Sequence, residues 1–450
     1  EPNNGNNNNH SNIRMVPSVA ATAATINQGE WLTDLVAQLW PLIRMVANQK
    51  IWEKVEPRLA ALPAPLNTLH FVQLDVGRVP IRLDNIIVHE SSSASGPGGS
   101  TDSVQFDLDV VWDGTCDIQL KASYIGTLGV QSVKLLGRLS VLLQPLKVDL
   151  PIVQAVQVAF INPPMIHLEF SGVAHPLADS LDLMRMRIHD VLQKILQQQM
   201  VLPNRLLVKF DPTVSLLYDN LIKTPVGVAR VTIQRGSGFV VEKRNVFQKA
   251  DIPDCYVVAT LGDTKRRSAT IKDNLTPVWN ETMDYVLSDF DQIVHLEVWD
   301  EDGGPLDPDD FLGTVDVTVG QVILEGGQIA RTLLGEGGKP TTANLSIGVQ
   351  CLKWTTALDS LSNTTNREDR TANNEIVGLL TILITQAFAL PLEKHDVKAS
   401  VKVTYADQWF LTKVVTDHPG LDSLSPIFDA IFHVPLTPDL DGSKILNSVY

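Results

Sequence analysis

The chain has 450 residues, of which 44% are hydrophobic and 19% charged, a globular balance that provides material for roughly two to four domains. Its net charge of −15 argues against extensive nucleic-acid binding, because binding to phosphates needs a basic surface. Its three cysteines, Cys116, Cys255 and Cys351, share no CxxC spacing, so a reduced, cytosolic environment is predicted.

The N-terminal part of the chain combines a polar tail with a long amphipathic segment. Residues 1–28 open with an Asn-rich run that is too polar to build a core, so we expect a disordered tail. Apolar residues then recur at helical spacing over 29–62. Asp34, Gln38 and Arg44 interrupt this stretch, so it predicts an amphipathic helix and no membrane span. No signal peptide is recognised, and the missing initial methionine predicts a fragment of a longer protein.

Between residues 104 and 170, apolar and polar residues alternate with a period of two in VQFDLDVVW, CDIQLKA, VKLLGRLSVLL and IHLEF. This alternation is typical of antiparallel strands with one apolar face, and a second amphipathic helix is predicted over 176–200. The main residues of the apolar face are Phe106, Leu108, Val110, Ile118, Leu120, Leu135, Leu139, Val141, Ile166, Leu168 and Phe170. Periodicity does not distinguish a close-packed core from the lining of a groove, so both interpretations stay open.

From residue 227 onward, short strands alternate with Pro, Gly and Asn turns, which is typical of an all-β sandwich. Within it, the stretch VWDEDGGPLDPDDFLG at 298–313 contains six acids. Crowded carboxylates repel one another unless something neutralises them. The stretch is therefore either a solvated acidic turn or a site for a hard cation such as calcium, which takes about six to eight oxygen ligands from flexible loops.

The motifs GVARVTI, DCYVVATLGD, LTPVWNETMDYVL, HLEVWDED and DDFLGTVDV occur in this order and together resemble a C2 domain. The resemblance implies an all-β C2 sandwich over 225–356 that binds calcium and phospholipid, and it favours the cation-site interpretation of the acidic stretch. After a polar linker at 357–375, SPIFDAIFHVPL resembles a strand of another C2 domain. Residues 376–450 are therefore predicted to form a second, truncated C2-like β domain.

The region before the sandwich resembles the SMP lipid-binding domain of extended synaptotagmins, tricalbins and plant synaptotagmins, through EWLTDLVAQLWP, LLGRLSVLLQPL, DLPIVQAVQVAFINPP and MVLPNRLLVKF. The resemblance implies that 29–210 forms an elongated tubular, TULIP-like α/β domain whose apolar face lines a groove for a glycerophospholipid. It also implies a homodimer through this domain, for which Trp31, Leu35 and Trp40 are the candidate contacts. The expected location is the cytosolic face of the endoplasmic reticulum at contact sites, with the membrane anchor upstream of this chain.

The C2 resemblance also assigns candidate calcium ligands. Asp254, in DCY, takes the ligand position of a DPY motif. In the third loop, Asp300 and Asp302 of DED match the paired ligands, and Asp310, before FLG, matches the next one. Calcium is therefore the expected cofactor.

The earlier acid of the first loop is less well defined. The position six residues before Asp254 is Gln248, where many short-loop C2 domains carry an acid. Because this loop is longer, as in extended synaptotagmins, either Glu242 or Asp251 is the candidate for that ligand. The second C2-like domain offers only Asp396 in its first loop, so no calcium is predicted there.

Two further sets of residues are candidates for contact with an anionic membrane surface. Calcium turns a negative loop face neutral or positive, and apolar loop residues then insert at the interface. Basic residues on a strand next to the loops are candidates for phosphoinositide binding, the alternative being a solvated face. The candidates are Val246, Phe247 and Leu306 for insertion, and Lys265, Arg266 and Arg267 for the basic surface.

Together, the two resemblances imply a protein that transfers lipid and tethers membranes at contact sites. The alternative is a calcium-dependent membrane adaptor whose SMP-like domain only forms a dimer. No GxSxG, HExxH, GxxxxGK or kinase motif occurs, so no enzymatic activity is predicted.

Overall fold

The computed structural model describes 30–60, 66–89, 103–122, 126–146, 150–171, 186, 188–193, 196–197, 200–210, 225–241, 252–302, 309–354, 376, 378–390, 398–405, 408–412, 415–416, 424–436 and 445–449. Among the helices in these ranges, none is both long and apolar enough to cross a bilayer. The described elements form three units along the chain, an α/β unit and two β units.

The α/β unit pairs one long helix, α1 (Glu30–Ala60), with a sheet of seven strands. The strands are β1 His70–Asp75, β2 Arg82–His89, β3 Val104–Ala122, β4 Gly126–Leu143, β5 Ala155–Phe160, β6 Met165–Ser171 and β7 Leu206–Lys209. Their order is β1-β3-β4-β5-β7, with β2 paired to β3 and β6 paired to β4, and the pairs are antiparallel.

The segments VQFDLDVVW and CDIQLKA, predicted as separate strands, form the single 19-residue strand β3. A register shift between Thr115 and Ile118 marks a bulge in it. A bulge adds one residue to one strand while the pairing continues on either side. The apolar alternation therefore resumes beyond the bulge without a turn.

The helix α1 is held on the sheet by polar and aromatic contacts. The Trp40 indole Nε1 donates to the Gly77 carbonyl at 3.1 Å, and its ring meets Trp112 edge-on with centroids 6.0 Å apart. The Arg44 guanidinium pairs with Asp75 on β1. At the far end of α1, two apolar residues enter a cluster with residues of β1, β3 and β4. They are Val55 and Leu59.

The second unit is an eight-stranded antiparallel sandwich. Its strands are β8 Gly227–Ser237, β9 Cys255–Leu261, β10 Thr264–Arg267, β11 Val278–Leu287, β12 Ile293–Asp300, β13 Asp310–Thr318, β14 Gln328–Leu334 and β15 Pro340–Leu352. They follow the order β10-β9-β12-β13-β14-β15-β8-β11, and a short helix, α2 (Val319–Leu324), follows β13. One continuous apolar core fills the sandwich, and Ile233, Tyr285 and Leu287 are fully buried there.

The third unit consists of short antiparallel strands around a small core of Ala399, Val401, Val403 and Phe428. The strands are β16 Gly378–Gln386, β17 Lys398–Ala399, β18 Val401–Tyr405, β19 Gln408–Leu411, β20 Val415–Thr416, β21 Ile427–Leu436 and β22 Ile445–Val449. The pair β16 with β21 is the longest, and β18 pairs with β19 and β22.

Candidate functional site

The apolar face predicted from the alternation lies on one side of the α/β sheet. The registers place Phe106 opposite Val141 and Leu108 opposite Leu139. Side chains at paired positions point to the same side of a sheet, so these residues share one surface, which we call the lining face. Across β4 and β6, the pair of Leu135 with Ile166 continues it.

Contacts with helical segments distinguish two ends of the lining face. At one end, Ile118, Leu120, Leu168 and Phe170 pack into the apolar cluster that contains Val55 and Leu59 of α1 and Ile188. Leu120 is buried, whereas Ile118, Leu168 and Phe170 are half-buried beside α1 and the helical segment 188–193. Their assignment to the lining of a groove stays a prediction. At the other end, Leu108, Val110 and Ile166 are buried, whereas four residues are only half-buried. These four are Phe106, Leu135, Leu139 and Val141.

A small cavity lies beside the bulge of β3, between β3, β4 and the end of β6. Its volume is about 270 Å³, and Cys116, Gly129, Val130 and Ser171 are among its lining residues. Ligand pockets usually have volumes of about 300–1,000 Å³, so this cavity is too small for a two-chain lipid. The Cys116 thiol donates to the Val130 carbonyl at 3.3 Å, and burial raises its pKa to about 11. The thiol is therefore protonated and unreactive at neutral pH.

The outer face of α1 was only partly predicted. Trp31 and Leu35 are exposed, as a dimer contact requires, but Trp40 is only 5% exposed and packs on Trp112. Trp40 is therefore a core residue, and its assignment to a dimer interface is wrong. Four more exposed apolar residues continue the face along the helix. They are Leu39, Leu42, Met45 and Val46.

The acidic residues of the sandwich gather at one end, where β9, β12 and β13 meet. Asp300 lies opposite Cys255 on β9 and opposite Asp310 on β13. The backbone amide of Asp254 donates a hydrogen bond to Asp300 Oδ1 at 2.6 Å. The side chain of Asp254 in turn accepts one at Oδ1 from the backbone amide of Asp273 at 2.7 Å. Backbone N–H groups therefore stabilise part of this negative charge.

The loop that follows β12 has its own polar contacts. The Asp302 amide donates to Asp309 Oδ1 at 3.1 Å, and the Tyr256 hydroxyl donates to Asp309 Oδ2 at 2.7 Å. Burial and this hydrogen bond raise the pKa of Tyr256 to about 12. Sequence reasoning missed Tyr256 as a partner of Asp309, although it is the Tyr of the DCY motif.

In the described ranges, no group of three or more His, Cys, Asp or Glu side chains is placed to hold a metal ion. The described candidates Asp254, Asp300, Asp302 and Asp310 lie at one end of the sandwich without forming such a group. The candidates Glu242, Asp251, Val246, Phe247 and Leu306 lie outside the described residues. The calcium site therefore stays a prediction.

The basic residues of β10 do not form one surface. They alternate along the strand, with Lys265 and Arg267 exposed and Arg266 half-buried between them. The Arg266 guanidinium donates to the Asp284 carbonyl at 3.1 Å and lies over the Tyr285 ring, on strand β11. A surface of all three residues is thus wrong, because a strand points neighbouring side chains to opposite faces.

The two exposed basic residues are also partly neutralised. Arg267 pairs with Glu301 and lies 3.7 Å from the centroid of the Tyr256 ring. Lys265 Nζ is 3.8 Å from Glu297 Oε2. In both pairs the basic side chain is exposed, so each pair contributes little stability. Arg267 is joined to the acidic loops through its contact with Glu301.

Comparison with known proteins matches the α/β unit and the two β units to known domain families. Residues 25–211 match the family of the Synaptotagmin-like mitochondrial-lipid-binding domain (SMP), and 227–333 and 378–450 match the C2 domain. Extended synaptotagmin-3 from Mus musculus is 29% identical over 300 residues, and that from Homo sapiens is 30% identical over 304 residues. Each alignment covers 66% of this chain and 32% of the relative. The chain thus spans about a third of the length of these curated relatives.

A solved structure of extended synaptotagmin 2, which contains an SMP domain and two C2 domains, has the same fold. It matches with a TM-score of 0.56 at 24% identity and covers 91% of this chain and 84% of that one. The same order of an SMP unit followed by two C2 units occurs here. The chain therefore belongs to the family of SMP–C2 proteins that includes the extended synaptotagmins.

Proposed function

We propose that this protein binds a glycerophospholipid on the lining face of its SMP unit, transfers it between membranes and tethers them at a contact site. The observation that carries the proposal is the half-buried part of the lining face. Phe106, Leu135, Leu139 and Val141 form a continuous apolar surface across β3 and β4 that the described part of the chain covers only partly. Apolar surface left in contact with water costs roughly 25 cal/mol per Å², so an acyl chain that covers it stabilises the complex.

The test uses the full chain, purified without added lipid and examined by native mass spectrometry. We expect co-purified glycerophospholipid, and its loss in Leu139→Trp and Val141→Trp, which fill the lining face with an indole. The matched control is Leu136→Trp. Leu136 is on the same strand, is exposed and points to the opposite side of the sheet. Lipid retained equally by all three variants contradicts the assignment.

Transfer is measured with the same variants between two liposome populations carrying a fluorescent phospholipid. The parent chain and Leu136→Trp are expected to transfer lipid at similar rates, and the two lining-face variants more slowly. A variant that loses bound lipid but still transfers it at the parent rate separates lipid storage from transport and contradicts the transfer mechanism.

We further propose that the first C2 unit binds calcium through Asp254, Asp300, Asp302 and Asp310. Their carboxylate oxygens are the ligands that calcium prefers, and they lie at one end of the sandwich. Bound calcium supplies positive charge that compensates these acids and attracts anionic headgroups. Asp254 and Asp300 each accept a hydrogen bond from a backbone amide through Oδ1.

Calcium binding predicts stabilisation of the folded sandwich. A ligand that binds only the folded state contributes RT ln(1 + [L]/Kd), about 2.7 kcal/mol at one hundred times Kd. Hydrogen exchange of the sandwich amides in the full chain should slow in millimolar calcium. Asp300→Asn with Asp302→Asn should abolish the effect, whereas Asp263→Asn, in the exposed β9–β10 turn, should not. An unchanged exchange rate in the parent contradicts calcium binding.

A second candidate function is a calcium-dependent membrane adaptor whose SMP unit only forms a homodimer. The packed end of the lining face and the exposed apolar face of α1 favour it. If this is correct, the full chain carries no lipid, and Trp31→Glu with Leu35→Glu converts a dimer into a monomer in sedimentation. The homodimer, the location at the endoplasmic reticulum and the absence of enzymatic activity stay predictions under both functions.

A further inference from the structure

Asn162 of the SMP unit binds the base of the first C2 unit. Asn162, in the β5–β6 loop, uses both atoms of its side-chain amide. Its Nδ2 donates to the Asp291 carbonyl at 2.9 Å, and its Oδ1 accepts from the Ile293 amide at 2.7 Å. The preceding Ile161 is fully buried. An amide that satisfies one donor and one acceptor of a neighbouring unit gives a specific contact, because both partners need the correct orientation.

Near this contact, the backbones of the SMP unit and the first C2 unit approach each other closely. Gly262, in the β9–β10 turn of the C2 unit, has φ of +62°, and a Cβ there would lie 2.9 Å from the Leu202 carbonyl of the SMP unit. Leu202 itself is only 1% exposed and packs with Ala159 and Ile161. Glycine therefore suits this position for two reasons: it adopts the positive φ, and it has no Cβ that would clash with the Leu202 carbonyl.

A half-buried arginine, Arg205, lies near titratable groups of all three units. Burial lowers the pKa of Arg205, next to β7, to about 10, and the charges of Asp289 and Asp107 oppose this decrease. Asp289 belongs to the β11–β12 turn of the first C2 unit, and Asp107 is a buried residue of β3. The charge of Arg205 in turn helps burial to lower the pKa of His433 on β21, in the third unit, to about 4.

The third unit packs on both of the others. Leu383 of β16 lies in an apolar cluster with Ala155 and Leu207 of the SMP sheet. The Ile376 amide, just before β16, donates at 2.9 Å to Oδ2 of Asp284, a buried carboxylate of the first C2 unit. The unit is therefore attached at two points, one apolar and one polar.

We propose that these contacts form a permanent joint, so that the SMP unit, the first C2 unit and the third unit move as one body. On the SMP unit the docking surface consists of Asn162, Leu202, Arg205 and Leu207. Its occupants are segments of this chain, the turns 262–263 and 289–293 of the first C2 unit and strand β16. The contacts of the joint lie within the chain and are independent of the proposed lipid and calcium binding.

The joint fixes where the acidic loops lie. Strand β12 begins at Ile293, which contacts Asn162, and ends at Asp300 among the acids. Eight residues of extended chain at about 3.4 Å each span roughly 27 Å. The joint thus holds the acidic loops roughly 27 Å from the contact with the SMP unit, at the other end of the sandwich.

The experiment follows the Ile293 amide in the full chain by hydrogen exchange, together with the radius of gyration by small-angle X-ray scattering. In the parent, Ile293 should be protected although its partner lies in another unit. Asn162→Ala with Leu383→Asp should raise Ile293 exchange at least about tenfold and increase the radius of gyration. The amide of Val294, within the sandwich core, should keep its protection and so shows that the sandwich remains folded.

The matched control is Asn204→Ala with Phe388→Asp. Asn204 donates to Gln197 within the SMP unit, and Phe388 is 73% exposed on the third unit. This control should leave both readouts at the parent values. An unprotected Ile293 in the parent, or an unchanged radius of gyration in the joint variant, would overturn the proposal.

Discussion

The SMP sheet and the first C2 sandwich are built from the same pattern of alternating strands but bury it differently. In the sandwich, two layers cover each other, and Val231, Val294 and Leu296 are fully buried. In the SMP sheet, Leu139 and Val141 carry the same pattern but remain half-buried. The pattern therefore defines which side of a strand is apolar, while the second layer decides whether that side becomes a core or a binding surface.

The largest expected effect tests this difference directly with one substitution in each unit. Leu296→Ala leaves a cavity in a close-packed core and should cost about 2–5 kcal/mol. Leu139→Ala should cost about 1 kcal/mol or less, because its surroundings are open and little packing is lost. Hydrogen exchange of the slowest amides of each unit in the full chain measures both. Equal losses contradict the contrast and indicate that the lining face is an ordinary core.

The next effect concerns the polar interior of the sandwich. Arg230 holds the 1%-exposed Asp284 through two hydrogen bonds of 2.9 and 2.8 Å. Arg230→Met leaves this carboxylate without its cation and should cost about 3 kcal/mol. Arg331→Met, which breaks the exposed pair with Glu325, should cost less than about 1 kcal/mol. A loss for Arg230→Met as small as that of the control would contradict this role of Arg230.

The joint predicts an acid-sensitive stability. Burial lowers the pKa of His433 from 6.5 to about 4, so the unfolded chain binds this proton more readily than the folded one. The stabilisation is therefore present above pH 6.5 and is lost as the pH falls through about 4, by on the order of 2 kcal/mol. In His433→Gln this pH dependence should disappear from the amides of β16 and β21. If parent and variant lose protection equally between pH 6.5 and 4, His433 does not face the joint.

The smallest effect is a stability in the sandwich that is lost as the pH rises, opposite to the pH dependence at His433. Hydrogen bonds to Asp316 and Glu297 raise the pKa of His295 from 6.5 to about 9. This stabilisation is fully present below pH 6.5 and is lost as the pH rises through about 9. Because the side chain is 43% exposed, we expect less than about 1 kcal/mol. Titration of the ring by NMR should give a raised pKa in the parent and an ordinary one in Asp316→Asn with Glu297→Gln.

The sandwich and the helix α1 were predictable because their periodicity is strong and continuous. The continuity of β3 was not, since Asp113-Gly114, just before the bulge, has the composition of a turn. There Gly114 lies within the strand, and a Cβ added to it would meet the Trp112 indole at 2.5 Å. The burial of Trp40 was also unpredictable, because it depends on the carbonyl of Gly77, which is distant in the sequence.

The separation of the basic residues on β10, in contrast, was available from the sequence. Once 264–267 is assigned to a strand, its period of two places Arg266 opposite to Lys265 and Arg267. The packing at one end of the lining face required the structure, because it depends on how α1 and the segment 188–193 contact Leu120 and Leu168.

The most direct test of lipid binding on the lining face is photo-crosslinking. The full chain is incubated with a glycerophospholipid that carries a diazirine in its acyl chain, irradiated and digested, and the labelled peptides are identified by mass spectrometry. We predict labels on 104–112 and 135–143, and their loss in Val141→Trp but not in Leu136→Trp. Labels confined to the outer face of α1, or unchanged in Val141→Trp, would contradict the central claim.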